Sequence, residues 1–146
     1  MTIDTARTDI RAIGELVSHI GFRKQRAADG SLVWEIPIAP HVVNTAGGLQ
    51  GGLIAMLADI AAGTVALETR PPRGGVVTSD LNIRYLRAIT TGTARAVTRI
   101  IHAGKRSVVV QVDVLTLPAG ELAAVATVSF ATVDIETPAS TGAANA

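Results

Sequence analysis

The chain has 146 residues, a formal net charge of +1 and no cysteine. This length favours a single domain with a sizeable core, and the lack of cysteine excludes disulfides, thiolate nucleophiles and cysteine-based metal sites. A charge near zero without a long basic run argues against a dedicated nucleic-acid binder. Hydrophobic residues make up 48% and charged residues 17% of the chain, which suggests that surface is buried against a partner subunit as well as in the core.

The first part of the chain predicts one short helix and one strand. Apolar residues from Ile10 to Ile20 follow helical spacing, and the amphipathic helix is expected to stop near Gly21. Asp29-Gly30 is a turn signal. Leu32 to Ile38 is typical of a strand, and Pro37 favours a sheet edge or a strand end.

A long apolar helix is expected next, from Gly51 to Glu68. It follows the glycine-rich segment Gly47–Gly52 and is hydrophobic on all sides, which is typical of a buried helix. Asp59 is the only charged residue between His41 and Leu67. A carboxylate in such a helix is costly unless it is hydrogen-bonded or needed, so Asp59 is the leading candidate for catalysis.

Four β-rich segments joined by short turns follow the helix, and they predict an antiparallel meander. They are Val76–Ala88, Ala94–Ala103, Val108–Leu117 and Leu122–Val133. A helix that is apolar on every side needs a sheet that encloses it. The predicted class is therefore α+β, with a curved antiparallel sheet wrapped around one long buried helix and an amphipathic helix at the N-terminus.

The expected organisation is one main domain with two short flanking segments. Residues 1–30 are predicted to form a helical segment packed on a domain of residues 31–135, and residues 136–146 a disordered tail. The N-terminal residues carry acids and lack an apolar core, so no signal peptide is expected. The apolar stretch Leu53–Leu67 is too short to span a bilayer. We therefore expect a soluble cytoplasmic protein that binds neither nucleic acid nor membrane.

One motif spans the start of the predicted helix: Asn44-x-x-Gly47-x-x-Gln50-Gly51-Gly52, then six residues and Asp59. It resembles the motif of hotdog-fold acyl-CoA thioesterases, in particular the phenylacetate-degradation type and the related 4-hydroxybenzoyl-CoA thioesterases. The family has a histidine at the position of Gln50. The similarity extends over Val77–Leu86 and His102–Arg106 and covers the chain from about Leu32 to Val133.

The resemblance implies thioester hydrolysis of an acyl-CoA to a free acid and CoA, without a metal or other cofactor. The Gly51 N–H at the helix start would polarise the thioester carbonyl. Asp59 would act as general base or as a nucleophile that forms an anhydride. In related proteins the acid and the oxyanion donor come from different subunits. A homodimer would therefore be the minimal unit, and pairs of dimers would form a homotetramer.

The resemblance also implies roles for further residues. Asn44 would orient water or the carbonyl, and Ser79, ahead of Thr78, would hold the attacking water or the base. Gln50 can donate a hydrogen bond but cannot titrate near neutral pH, unlike the family histidine. Basic and backbone groups would bind the CoA phosphates. The remaining residues assigned to substrate and CoA binding are Gly52, Thr78, Arg84, His102, Gly104, Lys105 and Arg106.

Plainer interpretations of the same residues stay open. Asp59 could be a structural carboxylate paired with an arginine, Asn44 an Asx-turn residue, and Ser79 an ordinary strand serine. The basic residues could be solvated surface charges. For the whole protein, the alternative is a hotdog protein that binds an acyl-CoA without cleaving it, which the glutamine at Gln50 favours. A hotdog dehydratase or hydratase is disfavoured because the helix motif lacks the catalytic histidine.

Overall fold

The computed structural model describes residues 2–4 and 10–136, in which one long helix lies in the curve of a mainly antiparallel sheet. The helices are α1 (Ile10–Ile20) and α2 (Gly51–Glu68), with a short 3-10 helix at Pro40–Val42. The strands are β1 (Thr2–Asp4), β2 (Arg23–Arg26), β3 (Leu32–Pro37), β4 (Gly74–Tyr85), β5 (Thr93–Ala103), β6 (Ser107–Leu117) and β7 (Leu122–Glu136).

The sheet has the order β1-β7-β6-β5-β3-β2, and β4 pairs with β7 on the remaining side. All pairs are antiparallel except β1 with β7. Among the described strands, β4 pairs with β7 alone. One edge of this long strand therefore leaves its backbone groups free to pair with another chain.

Helix α2 packs against β3 to β7 and forms the core with them. Its sheet-facing residues are small or branched, which lets the helix approach the sheet closely: Ile54, Leu57, Ala58, Ala61, Ala62 and Ala66 are buried. The sheet contributes fully buried valines to this core at alternate positions of β6, namely Val108, Val110, Val112 and Val114. By length and composition α2 could also cross a membrane, but its contacts with five strands make it the core helix of a folded domain.

Both predicted helices are confirmed. α1 ends at Ile20, just before Gly21, whose φ of 116° suits glycine. α2 runs from Gly51 to Glu68 as expected. The strand predicted from Leu32 and the four later strands are also present, with ends shifted by a few residues. The hotdog arrangement of a curved sheet around one helix is confirmed with them.

The prediction of an antiparallel meander was wrong for its first pair of strands. β4 pairs with β7 rather than with β5, and β5 lies between β3 and β6. Residues 86–92 leave the sheet after Tyr85, and Ile89 O accepts a hydrogen bond from Leu49 N at 2.8 Å. This connection therefore crosses the start of α2 instead of forming a hairpin, so the strand predicted to Ala88 ends three residues earlier.

Two strands were not predicted. β2 has the sequence Arg-Lys-Gln-Arg, in which no apolar alternation marks a strand, and β1 has only three residues. β2 is held by pairing with β3 and by Glu35, a buried carboxylate that contacts Arg95 and Arg23. The predicted tail beyond residue 136 lies outside the described residues, and the proposed domain boundaries remain predictions.

Candidate active site

The loop before α2 is built around the side chain of Asn44. Its Oδ1 accepts hydrogen bonds from Ala46 N at 2.9 Å and Gly48 N at 3.2 Å. Gly47 has a φ of 81° and donates its N–H to Asn44 O. This is an Asx-type turn, so the amide oxygen of Asn44 is used to shape the loop. Asn44 also lines an open depression of about 510 Å³ beside Gly51.

Gly51, the first residue of α2, makes two hydrogen bonds with side chains. Its N–H donates to Oε1 of Gln50 at 2.9 Å, and its carbonyl accepts from the hydroxyl of Tyr85 at 2.7 Å. Gln50 is thus the N-cap of the helix. The N–H group expected to face a thioester carbonyl therefore already has an acceptor, the side-chain oxygen of its own neighbour.

Asp59 lies two helical turns further along α2 and is half-buried. Its Oδ1 accepts a hydrogen bond from the Thr78 hydroxyl at 2.8 Å, across to β4. Among the side chains that the structure describes, no lysine or arginine forms a salt bridge with Asp59. The alternative of a structural carboxylate paired with an arginine therefore finds no support in the described part of the chain.

In the structure Thr78, and not Ser79, is the residue that contacts Asp59. The register of β4 on β7 shifts between Thr78 and Asp80, which leaves Ser79 in a β-bulge. The Ser79 hydroxyl donates to Ser129 O at 3.1 Å, and Thr78 faces α2 instead. A bulge of one residue changes which side chain points inward, and strict alternation along β4 cannot show it.

The two groups expected to act together are far apart within one chain. Gly51 and Asp59 are eight residues apart on one helix, which corresponds to ~12 Å along the axis. A base must come within about 3 Å of the proton that it takes, or act through one water. A carbonyl bound at Gly51 is therefore out of reach of the Asp59 of the same chain.

The turn between β5 and β6 carries the basic candidates. Gly104 packs so closely under His102 that an added Cβ would lie 2.6 Å from His102 Nε2. Arg70 donates from its guanidinium to Gly104 O at 3.2 Å and, with Lys105, lines a depression of about 430 Å³. Arg106 and Lys105 are exposed beside it. Arg70 was not singled out from the sequence, since only the fold brings the end of α2 to this turn.

Arg84 is separated from the other candidates within its chain. It lies on the outer face of the sheet and lines a shallow depression with Asn82, Gln111 and Thr127. The inward positions beyond the bulge of β4 are Leu81 and Ile83, which pack on the core. The structure therefore does not bring Arg84 to the face that holds Asp59.

Residues 46–123 match the family model of the Thioesterase superfamily, over more than half of the chain. The chain belongs to the thioesterase superfamily. The match begins in the loop before α2 and ends at the start of β7, so it covers the long helix and most of the sheet around it.

Three similar proteins illustrate the relationship. The proofreading thioesterase EntH of Cronobacter turicensis is 28% identical over 96 residues, which are 66% of this chain and 70% of that protein. The putative esterase VNG_1336C of Halobacterium salinarum is 30% identical, with 69% and 70% covered. The BH2602 protein of Bacillus halodurans, crystallised with CoA, is 36% identical, with a TM-score of 0.76 and with 80% of this chain and 77% of that chain covered. The resemblance to hotdog thioesterases is thereby confirmed, and thioester hydrolysis is the activity that these relationships support.

Proposed function

We propose that this thioesterase hydrolyses acyl-CoA esters to a free acid and CoA, with Asp59 as the general base or nucleophile. The observation that carries the proposal is the hydrogen bond from the Thr78 hydroxyl to Asp59 Oδ1 at 2.8 Å. It orients a carboxylate that no described cation neutralises, and it leaves Oδ2 available for water or for the substrate carbonyl. The phenylacetate-degradation type is the proposed subgroup, and the cytoplasm is the proposed location.

Two routes follow from this arrangement. As general base, Asp59 takes a proton from water while the water oxygen attacks the thioester carbonyl, and the C–S bond then breaks to release CoA. As nucleophile, Asp59 attacks the carbonyl, expels the thiolate and forms an anhydride that water cleaves. In both routes the negative charge that develops on the carbonyl oxygen is stabilised by the Gly51 N–H and the start of α2.

A dimer is part of the proposal because the distance along α2 separates Gly51 from Asp59 within one chain. The free edge of β4 supplies a pairing surface, and antiparallel pairing of two β4 strands would place two α2 helices side by side. Several apolar residues of α2 pack against the core and yet remain only partly buried, among them Leu53, Met56 and Ile60. The homotetramer predicted from the resemblance would require a second interface.

The basic turn is the proposed site of the CoA phosphates. Lys105 and Arg106 are exposed cations beside a turn whose backbone is fixed by Arg70 and by Thr132, which donates its hydroxyl to Lys105 O at 2.8 Å. Arginine and lysine bind phosphate well. The CoA in the crystal structure of the Bacillus halodurans relative supports a CoA ester as the substrate class.

A second function is favoured by one contact. Because Gln50 Oε1 accepts the Gly51 N–H, a substrate carbonyl has to displace this side chain before it can bind. A protein in which the displacement does not occur would hold an acyl-CoA without cleaving it. This non-catalytic acyl-CoA binder is the alternative proposal.

A thiol-release assay against a panel of acyl-CoAs tests both functions. The panel includes phenylacetyl-CoA, benzoyl-CoA and saturated chains of several lengths, and Asp59→Ala serves as the inactive control. Release that is lost in the variant supports hydrolysis. Tight binding of an acyl-CoA by calorimetry without release from any ester supports the binder, and Gln50→His is then the first variant to test for restored activity.

A further inference from the structure

The start of α2 carries one hydrogen bond that helix capping does not require. The groups left without partners at a helix N-terminus are N–H groups, whereas the first carbonyls accept bonds from residues one turn later. Even so, the Tyr85 hydroxyl donates to the Gly51 carbonyl at 2.7 Å. This bond therefore adds a second donor to a carbonyl that the helix already uses, and it ties the end of β4 to the first peptide of α2.

The peptide held in this way joins Gly51 to Gly52, so the contact also fixes the direction of the Gly52 N–H. The other N–H groups of this turn have acceptors: Leu53 N and Ile54 N donate to Gln50 O at 2.9 and 3.1 Å, and Gly51 N donates to Gln50 Oε1. Among the residues that the structure describes, Gly52 N–H has none, and its Cα faces open space. It is a free donor next to Gly51.

The chemistry of the backbone explains why this peptide needs support. Two successive glycines have more conformational freedom than any other pair, and helix ends fray. The Tyr85 ring lies 3.5 Å from where a Cβ of Gly51 would be, so ring and hydroxyl hold the same peptide. A hydrogen bond to its carbonyl also polarises the peptide and strengthens its N–H as a donor, by about 10–30% per bond.

We propose that Tyr85 is a positioning residue of the thioesterase reaction. Its hydroxyl holds the Gly51–Gly52 peptide so that the Gly52 N–H joins the Gly51 N–H in a two-donor site for the carbonyl oxygen. The proposal rests on the proposed function, because it is the charge developing on that oxygen that the two donors stabilise. When the carbonyl arrives, the Gln50 side chain leaves Gly51, and both N–H groups face the substrate.

The test is Tyr85→Phe, which keeps the ring against Gly51 and removes only the hydroxyl. Because misaligned donors cost energy mainly in the transition state, kcat for the best acyl-CoA is expected to fall about tenfold. KM is expected to change by less than about twofold, since ground-state binding is little affected. Unchanged kcat in an active, folded Tyr85→Phe protein overturns the proposal.

Thr64→Val is the matched control. It removes the hydrogen bond from Trp34 Nε1 to Thr64 Oγ1 at 2.9 Å, another tie between the sheet and α2, far from the helix start. The melting temperature of each variant is measured as well, so that the loss of kcat can be compared with the loss of stability. A kcat that falls as much in Thr64→Val as in Tyr85→Phe would mean that Tyr85 only stabilises the helix, and would overturn the proposal.

A second readout does not depend on turnover. In NMR spectra, the chemical shift of the Gly52 amide nitrogen is expected to change in Tyr85→Phe. The chemical shift of the Gly63 amide nitrogen, in the middle of α2, is expected to stay the same. An unmoved Gly52 signal overturns the proposal. If the wild-type protein releases no thiol from any ester, the proposed hydrolysis fails on its own, and the Gly52 signal still decides whether Tyr85 holds this peptide.

Discussion

The middle and the start of α2 offer two different kinds of chemical group. In the middle, Asp59 carries a charge on a side chain that the Thr78 hydroxyl orients from β4. At the start, Gly51 offers only a backbone N–H, and the adjoining Gln50 side chain covers it. In the proposed mechanism, Asp59 can act without rearrangement, whereas the Gly51 N–H first has to be uncovered. Under that proposal, binding of the carbonyl involves displacement of the Gln50 side chain, and the proton transfer does not.

The largest effect is expected from replacing Asp59. Asp59→Asn keeps the shape and the Thr78 contact but removes the base or nucleophile, so kcat should fall by about a thousandfold or more. Steady-state thiol release measures it, with the melting temperature as the check on folding. Asp80→Asn, an acid on the exposed part of β4, is the matched control and should keep its activity. Full activity in Asp59→Asn would remove the catalytic role.

Removing only the support of Asp59 should have a smaller effect. Thr78→Val deletes a hydrogen bond to a charged group, and such bonds contribute about 1.5–3 kcal/mol; kcat should fall by roughly ten- to a hundredfold. Ser79→Ala should leave kcat nearly unchanged, because Ser79 bonds to the backbone of β7. The opposite ranking of the two variants in the same assay would restore Ser79 as the residue that holds the base.

A substitution of Gln50 tests whether its side chain, which covers the Gly51 N–H, competes with the substrate. Gln50→Glu places a carboxylate oxygen on the Gly51 N–H, which suits a helix N-terminus and should raise stability by about 0.3–1 kcal/mol. The stronger charge-assisted bond and the repulsion of the oxyanion should lower kcat/KM by about tenfold. Thermal unfolding and kinetics are measured on the same protein. If kcat/KM stays unchanged, the Gln50 side chain does not compete with the substrate.

The smallest effect is expected at the basic turn. Lys105→Ala and Arg106→Ala should each raise KM for CoA esters by about three- to tenfold with little change in kcat, as expected of groups remote from the reaction. The KM for esters of pantetheine, which lack the phosphates of the nucleotide, should not change in these variants. Arg84→Ala provides the control on the outer face of the sheet. Equal KM changes for both classes of ester would contradict phosphate binding at this turn.

The features that depend on local patterns were predictable. The long apolar run after the glycine-rich segment was enough to predict α2, and glycine turns and β-branched residues were enough to predict the strands after it. The order of the strands was not predictable, because the segment that ends at Gly92 looks like a turn signal although it belongs to a crossing connection. The polar strand β2 depends on pairing with β3 and leaves no hydrophobic pattern of its own.

At the site, the sequence identified the residue types but not their partners. A one-residue bulge decided between Thr78 and Ser79, and bulges depend on the paired strand. The contacts of Tyr85 with Gly51 and of Arg70 with the basic turn join segments 34 residues apart. Only the closure of the sheet around α2 creates such contacts, so spacing along the chain cannot reveal them.

In the proposed dimer each site takes its donor from one copy of the chain and its acid from the other, and mixed dimers show whether the two copies share a site. Gly51→Pro removes the donor N–H at the first helical position, where proline is tolerated, and Asp59→Asn removes the acid. Each variant alone should be inactive. Co-expressed and allowed to mix at random, they should recover about a quarter of wild-type activity, since half of the dimers would contain one intact site. Mixed dimers without recovered activity would contradict the shared site.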